Sequence, residues 1–362
     1  MESLPGRRGL IHRQARWVRC SLAIILAAAA SGSRSAEPPV PLPPPPPRPG
    51  SEAGPTEVNY TFWLGDIPNI DSAEQTFDAS FVVIFRWRDP QLAHPGPDAK
   101  TFAIDDIWHP RFLIANEAEE SEHSLPEVAD VAPDGMATYR QRIVGSFTQT
   151  LNLRALPFDR DTFRVRFVVP GQSPQDIRFV PDPVALGAGL KEGVGRAETL
   201  TLQDWRVTAT TSRVEPFKAG LGVDLASFTV EFAAARQAGH FVFKIIIPLI
   251  LIVAMSWAVF WIEPGDASTQ VTVSLTAMLT LIAYQFVIDA DVPDLPYLTR
   301  LDAFILMSSI LVFLSLIEVL VTTKFAHRDR IALSRAIDRR CRIAFPLLFL
   351  AGTIITLSGF GF

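Results

Sequence analysis

Ser268-Thr-Gln-Val-Thr-Val-Ser-Leu-Thr-Ala-Met-Leu-Thr-Leu-Ile-Ala-Tyr-Gln-Phe-Val-Ile-Asp289 is long enough to cross a bilayer as a helix, yet one of its faces carries a row of hydroxyls. Steps of three and four along it pick out Thr269, Thr272, Thr276, Leu279, Ala283 and Phe286 as a single stripe. The stripe is polar in its first half and apolar in its second, and Asp289 closes it. A helix facing lipid has no use for this gradient, whereas a helix lining a gated water path does. The competing reading is that the threonines only back-bond to the preceding turn inside a packed bundle.

Around this stretch the chain divides by composition. It is 48% hydrophobic, but the apolar residues concentrate from Phe241 onward. Four segments have the length a bilayer demands, at 241–262, 268–288, 302–323 and 343–362. The connector after the third holds Lys324, Arg328, Arg330, Arg335, Arg339, Arg340 and Arg342 against Asp329 and Asp338, which places it on the cytoplasmic side. Residues 1–36 read as a secretory signal: Arg7, Arg8, Arg13, Arg16 and Arg19, then an apolar run Leu22–Ala30, then small residues. Export and charge bias agree on an N-terminal domain and a C-terminus that are both outside. Residues 37–55 are Pro-rich and read as an extended spacer.

Between residues 56 and 240, short alternating runs recur at Thr76–Trp87, Tyr139–Leu153, Thr162–Val169, Asp204–Arg213 and Ala226–Ala233. Turn clusters such as Pro95-Gly-Pro-Asp98, Ala132-Pro-Asp-Gly135 and Pro170-Gly-Gln-Ser-Pro174 separate them. That pattern predicts an all-β immunoglobulin-like sandwich followed by an all-α four-helix membrane domain at 241–362. Of the two cysteines, Cys20 lies in the signal and Cys341 at the membrane edge, so the exported domain has no disulfide and relies on its core. The net charge of −5 and the lack of a basic, aromatic-interleaved patch exclude a nucleic-acid partner. Six scattered histidines form no Ser-His-Asp, Cys-His or zinc constellation, so the chain does not read as an enzyme and no cofactor is implied.

Several ordered motifs carry a resemblance. They are Trp87-Arg-Asp-Pro90, Trp108-His-Pro110 with Asn116, Leu156-Pro-Phe-Asp159, Ser256-Trp-Ala-Val-Phe-Trp261, Pro293-Asp-Leu-Pro-Tyr297 and Arg342-Ile-Ala-Phe-Pro346. In this order the chain resembles the pentameric ligand-gated ion channels, the Cys-loop receptor superfamily, and in particular its bacterial members. The flanking cysteines that name the family are absent, as in bacterial relatives. The resemblance covers roughly residue 56 to the C-terminus. It implies a homopentamer in a cell inner membrane, with the β-domain and the C-terminus periplasmic. Lipid, permeant inorganic ions and a small-molecule or ionic agonist would be its partners.

The resemblance makes each stripe position a ring around a central axis. Thr272 and Thr276 would then replace part of an ion's hydration shell, with Thr269 below them on the same stripe. Leu279, Ala283 and Phe286 would form an apolar gate that dewets when narrow, with Asp289 at its outer end. No Arg or Lys occurs from Glu263 to Tyr297, whereas Glu263, Asp266, Asp289 and Asp291 flank the helix. Five carboxylates about 10 Å from an ion in water contribute roughly 2 kcal/mol. Screening at physiological salt cuts this to about 0.6 kcal/mol, about threefold enrichment of cations. Anion-selective relatives carry a Pro-Ala-Arg run where this chain has Ser268-Thr269-Gln270, and the Glu frequent in cation-selective relatives is also missing. Cation preference follows, with anion selectivity and a non-conducting sensor as rivals.

The resemblance also implies coupling of the two domains through Asp71 and Glu74, through Pro157, Phe158 and Asp159, and through Arg236, Pro293 and Pro296. In relatives an Arg at the Arg236 place pairs with acids of the first two loops; a static surface pair is the alternative. An agonist site between subunits would draw on Phe179, Phe217 and Phe228, unless these simply fill the core. Glu119, Glu120 and Glu122 lie in an acidic stretch with Glu117, His123, Glu127 and Asp130. The stretch could hold Ca²⁺, sense protons or form a solvated loop. Asn59-Tyr-Thr61 is a chance sequon in such a chain. Glu318, inside the third span, is either a functional carboxylate or an anchor for Lys324. Pro248 and Pro346 should loosen their helices.

Overall fold

The computed structural model describes residues 46–51, 54–202, 204–220, 222–263, 265–289, 295–328 and 330–358. The expected export signal lies outside them. The first strands are β1 (Thr56–Asp71), β2 (Thr76–Arg88), β3 (Lys100–Ala103), β4 (Leu113–Ile114), β5 (Glu122–His123), β6 (Val128–Val131) and β7 (Met136–Thr148). There follow β8 (Arg160–Val168), β9 (Ile177–Pro181), a short helix α1 (Pro183–Gly187), β10 (Val194–Arg196), β11 (Trp205–Arg213), β12 (Phe217–Lys218), β13 (Asp224–Leu225) and β14 (Ser227–Arg236). One sheet runs β10-β1-β2-β7-β6-β3, with β9 also on β1 and β5 also on β7. The second runs β11-β14-β8-β4, and β12-β13 is a separate hairpin.

Alternation builds the sandwich. In β2, Phe77, Ala79, Phe81, Val83, Phe85 and Trp87 all point inward and are buried. From the second sheet, Phe163 and Phe167 of β8 and Phe228 and Phe232 of β14 meet them. Phe167 and Phe228 stack at 4.6 Å with planes 3° apart, and Phe167 meets Phe81 edge-on at 6.0 Å. Each such ring adds about 1.5–3 kcal/mol of burial, which replaces the missing disulfide. The family motifs sit inside this core: Trp87 and Trp108 pack edge to face at 5.9 Å. Asn116 ties β4 to both sheets, donating to the Thr148 and Arg164 carbonyls and accepting from the Arg166 N–H. The turn before β7 needs Gly135, whose φ is +80° and whose added Cβ would meet the Asp89 carbonyl oxygen at 2.4 Å.

The described end of the Pro-rich stretch is tied to the sandwich. Arg48 donates to the carbonyls of Gly54 and Asp176 at 2.8 and 2.7 Å, and Thr56 Oγ1 donates to the Pro49 carbonyl at 2.6 Å. One arginine thus fastens this end of the stretch to the sandwich.

Among the described residues, four helices are long and apolar enough to cross a membrane: α2 (Gly239–Trp261), α3 (Ala267–Asp289), α4 (Arg300–Ala326) and α5 (Ile331–Ser358). Helix α2 contains a π turn at Val242–Ile246 just before Pro248, as the proline requires, and tightens to 3₁₀ at Ala258–Trp261. Thr299 and Asp302 form a capping box at the start of α4. Helix α5 begins well before residue 343, so most of the expected basic connector is helical. Alanine, leucine and arginine are all good helix formers, and long basic side chains reach past the membrane edge.

Candidate functional site

Helix α3 has two unlike faces. Gln270, Ser274, Ala277, Leu281 and Ile288 are buried against the rest of the bundle. Thr269, Thr272, Thr276, Leu279, Ala283 and Phe286 are all exposed, Leu279 at 66% and Phe286 at 74%. Asp289 ends the helix. The stripe read from the sequence therefore lies within the part of α3 that this chain leaves uncovered, which also includes Leu275, Thr280, Ile282 and Val287. Its hydroxyls are not free rotors: Thr272 and Thr276 donate to the carbonyls four residues back, as does Thr280, each at 2.8 Å. With their protons committed to the backbone, the hydroxyl oxygens keep lone pairs for whatever stands in front of that face.

The back of α3 is anchored at three heights. Gln270 Nε2 donates to the Ile262 carbonyl at 3.2 Å and Gln285 Nε2 to Ser309 Oγ of α4 at 2.8 Å. The Tyr284 hydroxyl donates to the Lys244 carbonyl of α2 at 2.5 Å and lies 3.4 Å from that of Ile245. Pro248 has no N–H to offer the Lys244 carbonyl, so α3 supplies the missing donor. Sequence reading finds the proline but not its partner, because i→i−4 arithmetic identifies the orphan acceptor and says nothing of which neighbour fills it.

At the inner end, Asp266 accepts the Thr269 N–H at 3.2 Å. The hydroxyl and backbone N–H of Thr269 hold its carboxyl below the ordinary carboxylate range. Glu263 is instead drawn to Arg335 of α5 in an exposed ion pair. Asp291 and Pro293 lie outside the described residues.

The junction between the domains is keyed from both sides. Leu156 of the β7–β8 loop packs into the helix core, and Leu295 of the α3–α4 loop packs against the sandwich core. Arg236 Nε donates to Asp159 at 2.8 and 3.1 Å, the two side chains 8% and 0% exposed, and its guanidinium lies 4.4 Å over the Trp205 ring. A further nitrogen of Arg236 donates to Ser72 Oγ at 3.1 Å. The β1–β2 loop thus meets Arg236 through a hydroxyl rather than through Asp71 or Glu74. Asp71 is occupied in its own turn, accepting the N–H groups of Ala73 and Glu74 at 2.8 and 2.9 Å. Pro157 is buried with a cis peptide bond before it, while Phe158 is exposed. Pro296 is exposed, and Tyr297 accepts the Leu153 N–H at 3.2 Å beneath the Arg154 guanidinium.

The aromatic ligand candidates separate. Phe179 and Phe228 belong to the sandwich core and contact each other at 5.0 Å, so they present no face to a ligand. The period-2 alternation of β9 and β14 turns both inward. Phe217, in the β12–β13 hairpin, is half-buried under Arg166 at 5.5 Å. Instead, a groove of about 510 Å³ opens on the outer face of the larger sheet, lined by Arg86, Thr138, Arg140, Asp182 and Leu190. Arg86 pairs with Asp182 at 3.3 Å and Arg140 with Asp130 at 2.8 Å. Alternation along β2 and β7 already places both arginines on that face.

The acidic stretch is a set of local bonds. Glu119, Glu120 and Glu122 are exposed, and no group of three His, Cys, Asp or Glu among the described residues is placed to hold a metal ion. Glu127 accepts from Tyr139 at 2.5 Å, from Gln141 at 2.8 Å and from His123 at 3.2 Å. Burial opposes its ionisation, but the hydrogen bonds from Tyr139, His123 and Gln141 outweigh it and lower the carboxyl below its ordinary value.

Comparison with known proteins agrees with this architecture. The neurotransmitter-gated ion-channel ligand binding domain matches residues 46–237, more than half of the chain, and the neurotransmitter-gated ion-channel transmembrane region matches 245–333. The chain is similar to a proton-gated ion channel of Gloeobacter violaceus, 28% identical over 85% of this chain and 84% of the relative. It is also similar to the gamma-aminobutyric acid receptor subunit beta-4 of Gallus gallus, 24% identical over 75% of this chain and 55% of the relative. The chain belongs to the neurotransmitter-gated family of pentameric ligand-gated ion channels, and is not an enzyme.

Proposed function

We propose that this chain is one subunit of a homopentameric, cation-selective channel of a cell inner membrane, with its β-domain and C-terminus periplasmic. The uncovered face of α3 carries the proposal: Thr269, Thr272 and Thr276 line the inner half of the conduit, and Leu279, Ala283 and Phe286 form the gate below Asp289. Four further copies would complete the surface around this face, which one chain leaves open. Cation preference rests on three observations. The threonine hydroxyls donate inward and face outward as acceptors. Asp266 is held ionised at the inner end. No Arg or Lys lies between Glu263 and Tyr297.

Agonist binding between neighbouring β-domains would be passed to the helices through Asp159, Arg236, Ser72 and the reciprocal Leu156 and Leu295 contacts. The groove beside Arg86 and Arg140 offers charges of both signs to a small or ionic agonist. Acid is the first agonist to apply, since the Gloeobacter relative is named for gating by protons.

The test is whole-cell current from Leu279→Ala, in symmetric and then diluted external NaCl. The shortened side chain lets water into the gate, so no agonist is needed. A spontaneous current whose reversal follows sodium supports the reading. Reversal following chloride overturns the selectivity, and absence of current from intact surface pentamers overturns the conduit.

A further inference from the structure

Glu318, the carboxylate inside the third membrane helix, is not anchored by Lys324. Lys324 is exposed and pairs with no acid among the described residues. Its partner follows from the antiparallel packing of α4 and α5. Ser334 Oγ of α5 donates to the Thr322 carbonyl of α4 at 3.1 Å, which fixes the register. One turn back along α4 and one turn forward along α5 bring Glu318 against Asp338, and the two carboxyl groups are within hydrogen-bond reach.

Asp338 is 2% exposed, on an inward stripe with Ser334 and Phe345. Glu318 Oε1 and Asp338 Oδ1 are both shielded and both lack a donor among the described residues. Two ionised carboxylates have only acceptors to offer each other, and like charges in contact in a dry site cannot both stay ionised.

The surroundings narrow the occupant. From α5 the pair meets the Cys341 thiol and the field of Arg342 acting on Asp338. Arg342 itself is committed to the Phe260 carbonyl at 2.9 Å and to the Trp261 ring at 5.5 Å. At the inner end of α2, Glu263 is taken by Arg335. Helix α3 brings no titratable group before Tyr284, and Asp266 below it caps its own helix. On α4 itself, Lys324 and His327 lie beyond the pair and are exposed. The nearby hydroxyls of Ser315 and Thr322 donate to their own helix. A metal ion asks for about six or more oxygen ligands and does not find them here. A proton needs two.

We propose that Glu318 and Asp338 form a proton-binding site between α4 and α5, holding one shared proton that clasps the two helices at the end of the bundle carrying the arginine-rich turns. In the bound state one carboxyl donates O–H to the other. Release of that proton to a solvent base leaves two carboxylates that push α4 and α5 apart. The site rests on the membrane reading of these helices but not on conduction, so it stands or falls separately from the pore.

The test uses the purified full-length protein in lipid vesicles. Infrared spectra near neutral pH should show a protonated-carboxyl absorption that is lost in both Glu318→Gln and Asp338→Asn. Thermal stability should fall on raising the pH in the wild type and stay flat in Glu318→Gln, whose amide donates to Asp338 in place of the proton. An absorption absent from the wild type, or unchanged in both variants, overturns the proposal. Stability that follows replacement of sodium by choline rather than pH overturns it too, because an inorganic cation would then be the occupant.

Discussion

The β-sandwich and helix α3 both carry large apolar side chains, and the chain treats them in opposite ways. Phe167, Phe228 and Phe232 are fully shielded by strands of the same chain, whereas Leu279 and Phe286 stand in the open. Even within α3 the contrast repeats: Gln270, Ser274 and Ala277 are buried together with Leu281 and Ile288, while Leu279 and Phe286 face out. Hydrophobic burial within one chain would not leave those two in the open. A surface finished by one chain specifies the fold, and a surface left unfinished by one chain is where the proposed pentamer would form its conduit.

The sharpest way to break this contrast is to truncate one ring on each side. Phe228→Ala should cost the β-domain about 3–5 kcal/mol in denaturant unfolding, because its neighbours cannot collapse into the space. Phe286→Ala should leave that unfolding unchanged while altering conduction. Equal losses from both would show that Phe286 is core.

Ion pairs sharpen the same distinction. Asp159→Ala removes the partner of an arginine at the shielded junction and should cost about 3–5 kcal/mol in thermal or chemical unfolding, together with a change in agonist response. Glu263→Gln breaks the exposed pair with Arg335 and should stay within about 1 kcal/mol. Tyr284→Phe should fall between, at about 1–3 kcal/mol, since it leaves the Lys244 carbonyl beside Pro248 without its hydroxyl donor. A change in channel opening with that variant would show that the contact holds α3 in position.

The smallest effect is expected on the β-domain surface. Glu127 has a folded-state value below its ordinary one, so its bonds to Tyr139, His123 and Gln141 stabilise the fold above the ordinary carboxylate range. That contribution is lost as pH falls through the depressed folded value. Melting profiles against pH should therefore steepen on the acid side in the wild type and be slightly flatter in Glu127→Gln.

Much of this was legible from residue order alone. Period-2 alternation gave β2, β8, β11 and β14 to within a few residues, and steps of three and four along α3 gave part of its open face. What escaped needs partners distant in sequence. Arg48 turns the end of a Pro-rich stretch into part of the sandwich through a bond to Asp176. The turn chemistry of β1–β2 consumes Asp71, so Ser72 is the side chain from that loop that reaches Arg236. Phe179 and Phe228, ligand candidates of a residue type that a β-sandwich more often buries, are fixed as core only once the sheets are paired. The partner of Glu318 depends on the register of two antiparallel helices, which no single-helix pattern contains.

The most direct measurement is thiol accessibility along α3, in a background with Cys20 and Cys341 replaced by Ser. Single cysteines would be placed at Thr272, Thr276, Leu279, Ala283 and Phe286, and at Ser274, Ala277 and Leu281. Each would be exposed to a charged, membrane-impermeant thiol reagent while the channel is active. The first set should react and block or alter current, and the second should not. Protection of the first set with reaction of the second, or reaction without regard to face, would contradict a water path along the uncovered face of α3.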